Sequence, residues 1–394
     1  MIVLLLIAEV VPSFACTSAI FSGKVTTDGR PLLWKHRDTG ELNNRIQYFP
    51  VSSDVKYAFI GLVNSPVESG EVWTGTNSEG FSIMNTASYN LQEKRADMED
   101  QEGVVMYKAL ALCRTLGDFE KLLDKMKKPL GVEANFGVID AEGGAAYYEV
   151  NNYEWRKVDV NDSKVAPEGY LIYTNHSYTG RINDGSGYER YATATRKIYQ
   201  NWIQNEGFTP QWIFNNLSRS FYNSVLNYDL CENSAAVSGG WFVDQDFIPR
   251  RSSSASIVVK GVKKGEDPLL TVMWTILGYP PCGIAVPMFV AAGENQPAQM
   301  IKGNNGNNCQ MCNETLSRKS NVFSLKRGNG KNYFHFSRLF NENGDGYMQV
   351  IAPLENGNFI ATQEFMNEQY KNGKISVSGI ENLYKKIEFG ESVK

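Results

Sequence analysis

The stretch CTSAIFSGKVTTDGRPLLWKHRD, residues 16–38, decides how the chain is read. Thr17–Phe21 and Pro31–Lys35 are apolar runs of strand length. The turn Thr27-Asp28-Gly29-Arg30 joins them. Asp-Gly between two such runs signals a β-hairpin, because glycine takes the positive φ that the turn needs. Cys16 stands at the head of the first strand, and the charged run Lys35-His36-Arg37-Asp38 closes the second. An acidic residue there can bind and orient an α-amine, and a cation there can stabilise a thiolate.

What precedes Cys16 gives the α-amine its importance. Residues 2–8 are apolar, Glu9 interrupts them, and Val10, Val11 and Pro12-Ser13-Phe14-Ala15 follow. The run is too short to span a bilayer, and the small residues Ser13 and Ala15 suit a signal-peptidase site. No basic residue comes before it. Residues 1–15 are therefore expected to be a signal peptide, cleaved to leave Cys16 first in a secreted or periplasmic chain with no membrane association afterwards. A first-residue cysteine carries its own base. Its α-amine has a reference pKa of about 7.7–8.0 and lies within reach of the thiol, so no histidine is needed.

Composition is that of an ordinary globular chain: 394 residues, 42% hydrophobic and 21% charged, with a net charge of -4. The mild acidity and scattered lysines speak against nucleic acid as a partner. Strands are expected at Tyr57–Val63, Val72–Gly75, Gly80–Asn85, Asn135–Asp140 and Ala145–Val150, and later at Ser256–Lys260, Leu269–Leu277 and Ile284–Val290. One apolar stripe predicts a helix over Gly103–Lys128. Tyr188–Gln204, Pro210–Ser220 and Asn358–Gln369 have helical spacing as well. Grouped strands with helices in blocks indicate an α+β fold with antiparallel sheets. No linker marks a boundary, so 16–394 is expected to be a single domain, decorated after about residue 290.

Two further segments bear on chemistry. In Trp73–Asn85 the Asn77-Ser78-Glu79-Gly80 turn leads into an apolar strand, which places Asn85 where strand becomes loop. A backbone N–H there can point into a cleft. Tyr170–His176 is an apolar strand ending in Thr174-Asn175-His176, and an asparagine amide there is a good donor to a tetrahedral oxyanion.

Together these segments resemble the linear-amide hydrolases of the N-terminal-nucleophile (Ntn) group: choloylglycine hydrolases, penicillin V acylases and the acyl-coenzyme A:6-aminopenicillanate acyltransferase family. The likeness covers about residues 16–290. It is specific from Cys16 to Asp38 and around Asn175, and Thr174-Asn175-His176 with Ser186 and Arg190 is most similar to the acyltransferase branch. The resemblance implies an αββα sandwich, two antiparallel sheets between helical layers. It implies Cys16 as nucleophile and, through its amine, base, and Asp38 as the group holding that amine. Asn85 (backbone N–H) and Asn175 (side chain) would form the oxyanion hole, with Arg190 steadying the nucleophile. Choloylglycine hydrolases carry arginine three residues before the matching aspartate, where this chain has Lys35, so either Lys35 or Arg37 flanks the thiol. The implied substrate is a small molecule with a linear amide, cleaved through an acyl-enzyme with no cofactor or metal. An acyltransferase shares that intermediate. A homo-oligomer is compatible with this reading.

Other readings compete. His176 beside Asn175 can be drawn as the base of a Cys–His pair, although with the amine available it reads as a packing residue; His36 lies at a strand end, and His335 in an aromatic run reads as core. Cys309-Gln310-Met311-Cys312 has CxxC spacing but no second pair of ligands, which favours a local disulfide or redox pair over zinc. Cys113 on the helical stripe reads as a buried free thiol. A lipid-anchored binding protein would carry its lipid on Cys16 and block the amine, but Ser13 stands where such signals place an aliphatic residue. Tyr89 and Tyr178 are candidates to line an acyl pocket.

Overall fold

A computed structural model of the chain describes residues 15–91, 100–245, 247–303 and 309–393. The first fourteen residues of the expected signal peptide lie outside them. The chain opens with β1 (Thr17–Phe21) and β2 (Leu32–Asp38), the hairpin read from the sequence. A meander follows: β3 (Asn44–Phe49), β4 (Phe59–Asn64), β5 (Thr74–Asn77) and β6 (Ser82–Ala87). Helices α1 (Glu102–Leu112) and α2 (Leu116–Lys125) interrupt it before β7 (Ala134–Ile139), β8 (Ala145–Val150) and β9 (Trp155–Asp159) complete it. Next come β10 (Tyr170–Tyr173), α3 (Tyr188–Ile203) and α4 (Pro210–Ile213), then the small pieces β11 (Tyr222–Asn223), β12 (Tyr228–Asp229), α5 (Ser234–Val237) and β13 (Trp241–Val243). Strands β14 (Ser253–Lys260), β15 (Val272–Leu277) and β16 (Val286–Met288) precede α6 (Gln310–Val322), β17 (Tyr333–His335), α7 (Tyr347–Asn372) and α8 (Val377–Tyr384).

The strands form two large antiparallel sheets. One has six strands in the order β10-β1-β2-β14-β15-β16, and the other is the seven-stranded meander β3 to β9 in sequence order. The sheets pack face to face. Ser18 Oγ lies 3.0 Å from Tyr147 Oη across the gap. At Gly137 an added Cβ would come within 2.3 Å of the tip of the Met84 side chain and 3.1 Å of that of Ile20, so the layers close tightly over this position. The outer face of the seven-stranded sheet is covered by α1 and α2, with Ile83, Val138, Ala146 and Tyr148 packed with Leu110 and Phe119. Helices α3, α4, α6 and α7 pack on the six-stranded sheet. The architecture is therefore the αββα sandwich that the resemblance implies. Strands buried on both faces lose the polar alternation of a half-exposed sheet, which is why β7 and β8 are mostly apolar, with Asn135 and Glu149 as their polar exceptions.

The helix expected over Gly103–Lys128 is two helices. Thr115 stops it: its Oγ accepts from Asp118 N–H at 3.2 Å, and the Asp118 carboxylate accepts from Thr115 N–H at 3.2 Å. This reciprocal capping box starts α2 afresh at Leu116. Among the described residues, no helix is long and apolar enough to cross a membrane. All six cysteines carry free thiols, including Cys309, Cys312 and the buried Cys113, whose thiol burial pushes up to about 12. His335, expected in the core, is only half-buried and stacks on Trp241 at 4.7 Å because β13 and β17 form a separate two-stranded ribbon.

Candidate active site

Strand alternation in the β1–β2 hairpin sorts the charged run onto two faces. The register pairs Thr17 with His36 and Ser18 with Lys35. Lys35 and Arg37 therefore point between the sheets, on the side Ser18 takes: Lys35 Nζ bonds to Asn85 on β6, and Arg37 bonds to Asn44 on β3 and, at 2.9 Å, to Asn64 on β4. His36 and Asp38 face the other way. His36 Nε2 lies 2.9 Å from Ser253 Oγ, and Ser253 donates to Asp38 Oδ1 at 2.6 Å.

Cys16 lies just before β1, only 6% exposed, at the wall of a cavity of about 460 Å³. Lys35, Arg37, Asp38 and Asn85 line the same cavity, as do Trp73 and Tyr89. Hence both cations left open by the sequence sit beside the cysteine's cavity. They are held by neutral oxygens: Lys35 donates to Trp73 O at 2.6 Å and to Asn85, while Arg37 lies 4.8 Å over the Trp73 ring. Burial lowers both. Lys35 falls to about 8, with the Cys16 thiol acting to raise it and Arg37 to lower it, so its ammonium is mostly charged at neutral pH. Arg37 falls to about 10 and stays charged.

A second web grips the backbone on either side of the cysteine. Arg190 is completely buried on α3, and its Nη1 donates to Cys16 O and Thr17 Oγ1, both at 2.7 Å. Its Nη2 donates to Asn175 Oδ1 at 2.9 Å. Gly187, at φ +80°, starts that helix; a Cβ there would lie 2.1 Å from Arg190 Nη2. Asn175 follows β10, and its Nδ2 donates to Ala87 O at 2.9 Å. It does not line the cavity but stands one guanidinium away from the Cys16 carbonyl. Asp38 accepts from Arg250 Nε and Nη2 at 3.0 and 2.9 Å, and Arg250 Nη2 also reaches Ala15 O at 3.4 Å. The carbonyls of Ala15 and Cys16 are thus each held by an arginine.

The structure brings together Cys16, Lys35, Arg37, Asp38 and Asn85 at one cavity, with Asn175 and Arg190 directly behind. Asn85 was expected where strand becomes loop, yet β6 runs on to Ala87. It is the β5 pairing that ends, at Met84, leaving Asn85 as the first residue beyond it. Sequence reasoning missed Arg250, Ser253 and Glu102. Arg250 and Ser253 come from a turn 212 and 215 residues beyond Asp38, with no local pattern to mark them. Glu102 closes the acidic run Asp97-Met98-Glu99-Asp100-Gln101-Glu102, where nothing in the sequence sets it apart from its neighbours.

The histidines stand apart from this cavity. His176 Nδ1 lies 3.0 Å from Thr174 Oγ1, and its ring stacks on Tyr188 at 4.5 Å. Burial lowers His36 to about 4, so it is neutral. Tyr178 stacks on Tyr173 at 4.3 Å and does not line the cavity, unlike Tyr89. Among the described residues, no group of three His, Cys, Asp or Glu side chains is placed to hold a metal ion.

No family model and no curated protein matches the chain. Solved structures do match in part. One is a Caenorhabditis elegans ortholog of N-acylethanolamine-hydrolyzing acid amidase, at 14% identity and a TM-score of 0.42, covering 62% of this chain and 92% of that one. Another is a mutant of conjugated bile acid hydrolase from Clostridium perfringens, at 12% identity and 0.41, covering 66% and 89%. A third is penicillin V acylase from Agrobacterium tumefaciens, at 12% identity and 0.34, covering 66% and 83%. The αββα assignment rests on this chain's own strand order and sheet packing, not on these matches.

Proposed function

We propose that the mature chain begins at Cys16 and is a secreted amidase that cleaves a linear amide through an acyl-enzyme on the Cys16 thiol. One observation carries the reading: Cys16 stands at the head of the inner strand of a two-sheet sandwich, on a cavity that also holds Lys35, Arg37 and Asp38. A lipid anchor calls for a cysteine at the end of an exposed tether. The burial of Cys16 and the arginines on its flanking carbonyls favour the enzyme.

In this reading the free amine of Cys16, held by Asp38, takes the thiol proton, and the thiolate attacks the amide carbon. Lys35 and Arg37 favour the thiolate. The oxyanion receives the Asn85 backbone N–H, and the Asn175 amide, which donates to Ala87 O on the cavity wall and is oriented by Arg190, turns toward the cavity to join it. Collapse breaks the C–N bond, and the ammonium returns its proton to the leaving amine. Water, deprotonated by the same amine, then attacks the thioester carbon and releases the acid. A cavity of about 460 Å³ suits a small acyl or amine group.

The test is incubation of the mature protein with a panel of N-acyl amino acids, bile-salt conjugates and β-lactam side-chain amides, with release of amine measured. Hydrolysis of one class with burst formation of thioester supports the proposal, and no cleavage of any amide contradicts it. Replacing Asn175 with alanine is expected to lower kcat by about two to three powers of ten. An unchanged kcat removes Asn175 from the oxyanion hole.

A further inference from the structure

We propose that Glu102, the first residue of α1, is a positioning residue for the nucleophile: through the side-chain amide of Asn85 it holds the Lys35 ammonium on the wall that carries Cys16. The inference rests on the function proposed above.

Three contacts in series make the link. Lys35 Nζ donates to Asn85 Oδ1, and Asn85 Nδ2 donates to Glu102 Oε2. Glu102 is itself fixed, since its backbone N–H donates to Asp100 Oδ1 at 2.9 Å. Lys35, Asn85 and Glu102 all line the cavity of Cys16 and are buried. An amide has one accepting end and one donating end. Turned over, Asn85 would set its NH₂ against the Lys35 ammonium and its oxygen against the Glu102 carboxyl. Lys35 and Glu102 together fix the amide, Glu102 anchoring its NH₂ end so that its oxygen is held toward Lys35. The other acceptor of Lys35, Trp73 O at 2.6 Å, is backbone and cannot adjust.

The charged groups that act on Lys35 are the Cys16 thiol from the head of β1, Arg37 from its own strand, and Glu102 and Asp100 from the start of α1. Glu102 in turn faces Asp100 and Glu133. Burial, then repulsion from Asp100, pushes the Glu102 carboxyl well above the usual carboxylate range. Toward Asn85 Nδ2 it supplies an accepting oxygen, Oε2, which glutamine also offers and leucine does not.

The experiment follows the rate of Cys16 alkylation by iodoacetamide against pH, and kcat and KM on an amide substrate, with thermal unfolding to confirm folding. The variants are Glu102→Leu, Glu102→Gln, Asn85→Ala (which keeps its backbone N–H) and Glu102→Leu with Asn85→Ala. Glu102→Leu is expected to raise the pH midpoint of alkylation and to lower kcat about ten- to a hundredfold, the size of a hydrogen bond in a charged chain. Glu102→Gln restores both. Asn85→Ala gives a similar loss, and the double variant is no worse than either single, because all three cut one link. Multiplying losses, or midpoints that stay at the wild-type value, would overturn the link. Alkylation needs no substrate. A shifted midpoint in a protein that cleaves no amide would sink the proposed function and leave the link standing, and an unshifted midpoint in an active amidase would do the reverse. If Glu102→Leu does not fold, Asn85→Ala against wild type decides by the same two readouts.

Discussion

Replacing Cys16 with alanine is expected to abolish amide cleavage, with a loss on the order of a millionfold, as removal of an enzyme's nucleophile gives when no neighbour can replace it. No other cysteine can stand in, because among the described residues Cys16 alone of the six lines the cavity. Folding is expected to survive the change. The substitution removes one sulfur, while the contacts that fix this segment belong to its backbone: Arg190 on Cys16 O and Arg250 on Ala15 O. Stability by thermal unfolding should stay within about 1 kcal/mol of wild type. Residual cleavage above background in a folded Cys16→Ala protein would show that another group attacks the amide. Cys16→Ser keeps a nucleophile of the right shape but a far weaker one, so slow turnover there is consistent with the proposal.

A mature chain that retains Ala15 ahead of Cys16 is the second variant with a large expected effect, a fall of about 10²–10⁴ in kcat. This is the usual worth of a placed general base. With Ala15 attached, the Cys16 nitrogen is an amide and takes no proton. The loss would not reflect disturbed packing, because Ala15 already fits: it is 4% exposed and its carbonyl has Arg250 as donor. Nor is a histidine at hand to replace the amine, since His36 lies on the opposite face of β2 bonded to Ser253, and His176 is packed against Tyr188. Turnover of this chain at the rate of one beginning at Cys16 would place the base elsewhere and revive the Cys–His reading.

The parts of the fold legible in sequence were those with local causes. The β1–β2 pairing was legible but not its connection: residues 22–31, with a short helical turn at Gly23–Val25, join the strands, and of Asp28-Gly29 only Gly29 takes a positive φ, +77°. Apolar runs located β7, β8 and β14, and the stripe from Tyr188 located α3. Strand β3, an Asn-Arg-Ile-Gln-Tyr-Phe edge, gave no such run, and β9 is largely exposed. The break between α1 and α2 was written in Thr115 and Asp118, but the apolar stripe running across it hid the cap. At the site, Cys16, Lys35, Arg37 and Asp38 share one hairpin and were found together. Asn85 and Asn175 were picked out as strand-end asparagines, while their pairing at one site, and Arg190, came only through resemblance, because their partners lie on other elements. Arg250, Ser253 and Glu102 could not be found this way. Their roles come from tertiary contacts: Arg250 and Ser253 reach Asp38 from the next strand's turn, and Glu102 reaches Asn85 from a helix start.

The most direct measurement is the intact mass of the exported protein, taken before and after brief treatment with a thiol alkylator and paired with its amidase rate. The expected mass is that of a chain starting at Cys16, which gains one alkyl group on that residue as activity disappears. An active protein whose chain starts elsewhere, or whose Cys16 carries lipid, would contradict the N-terminal nucleophile outright.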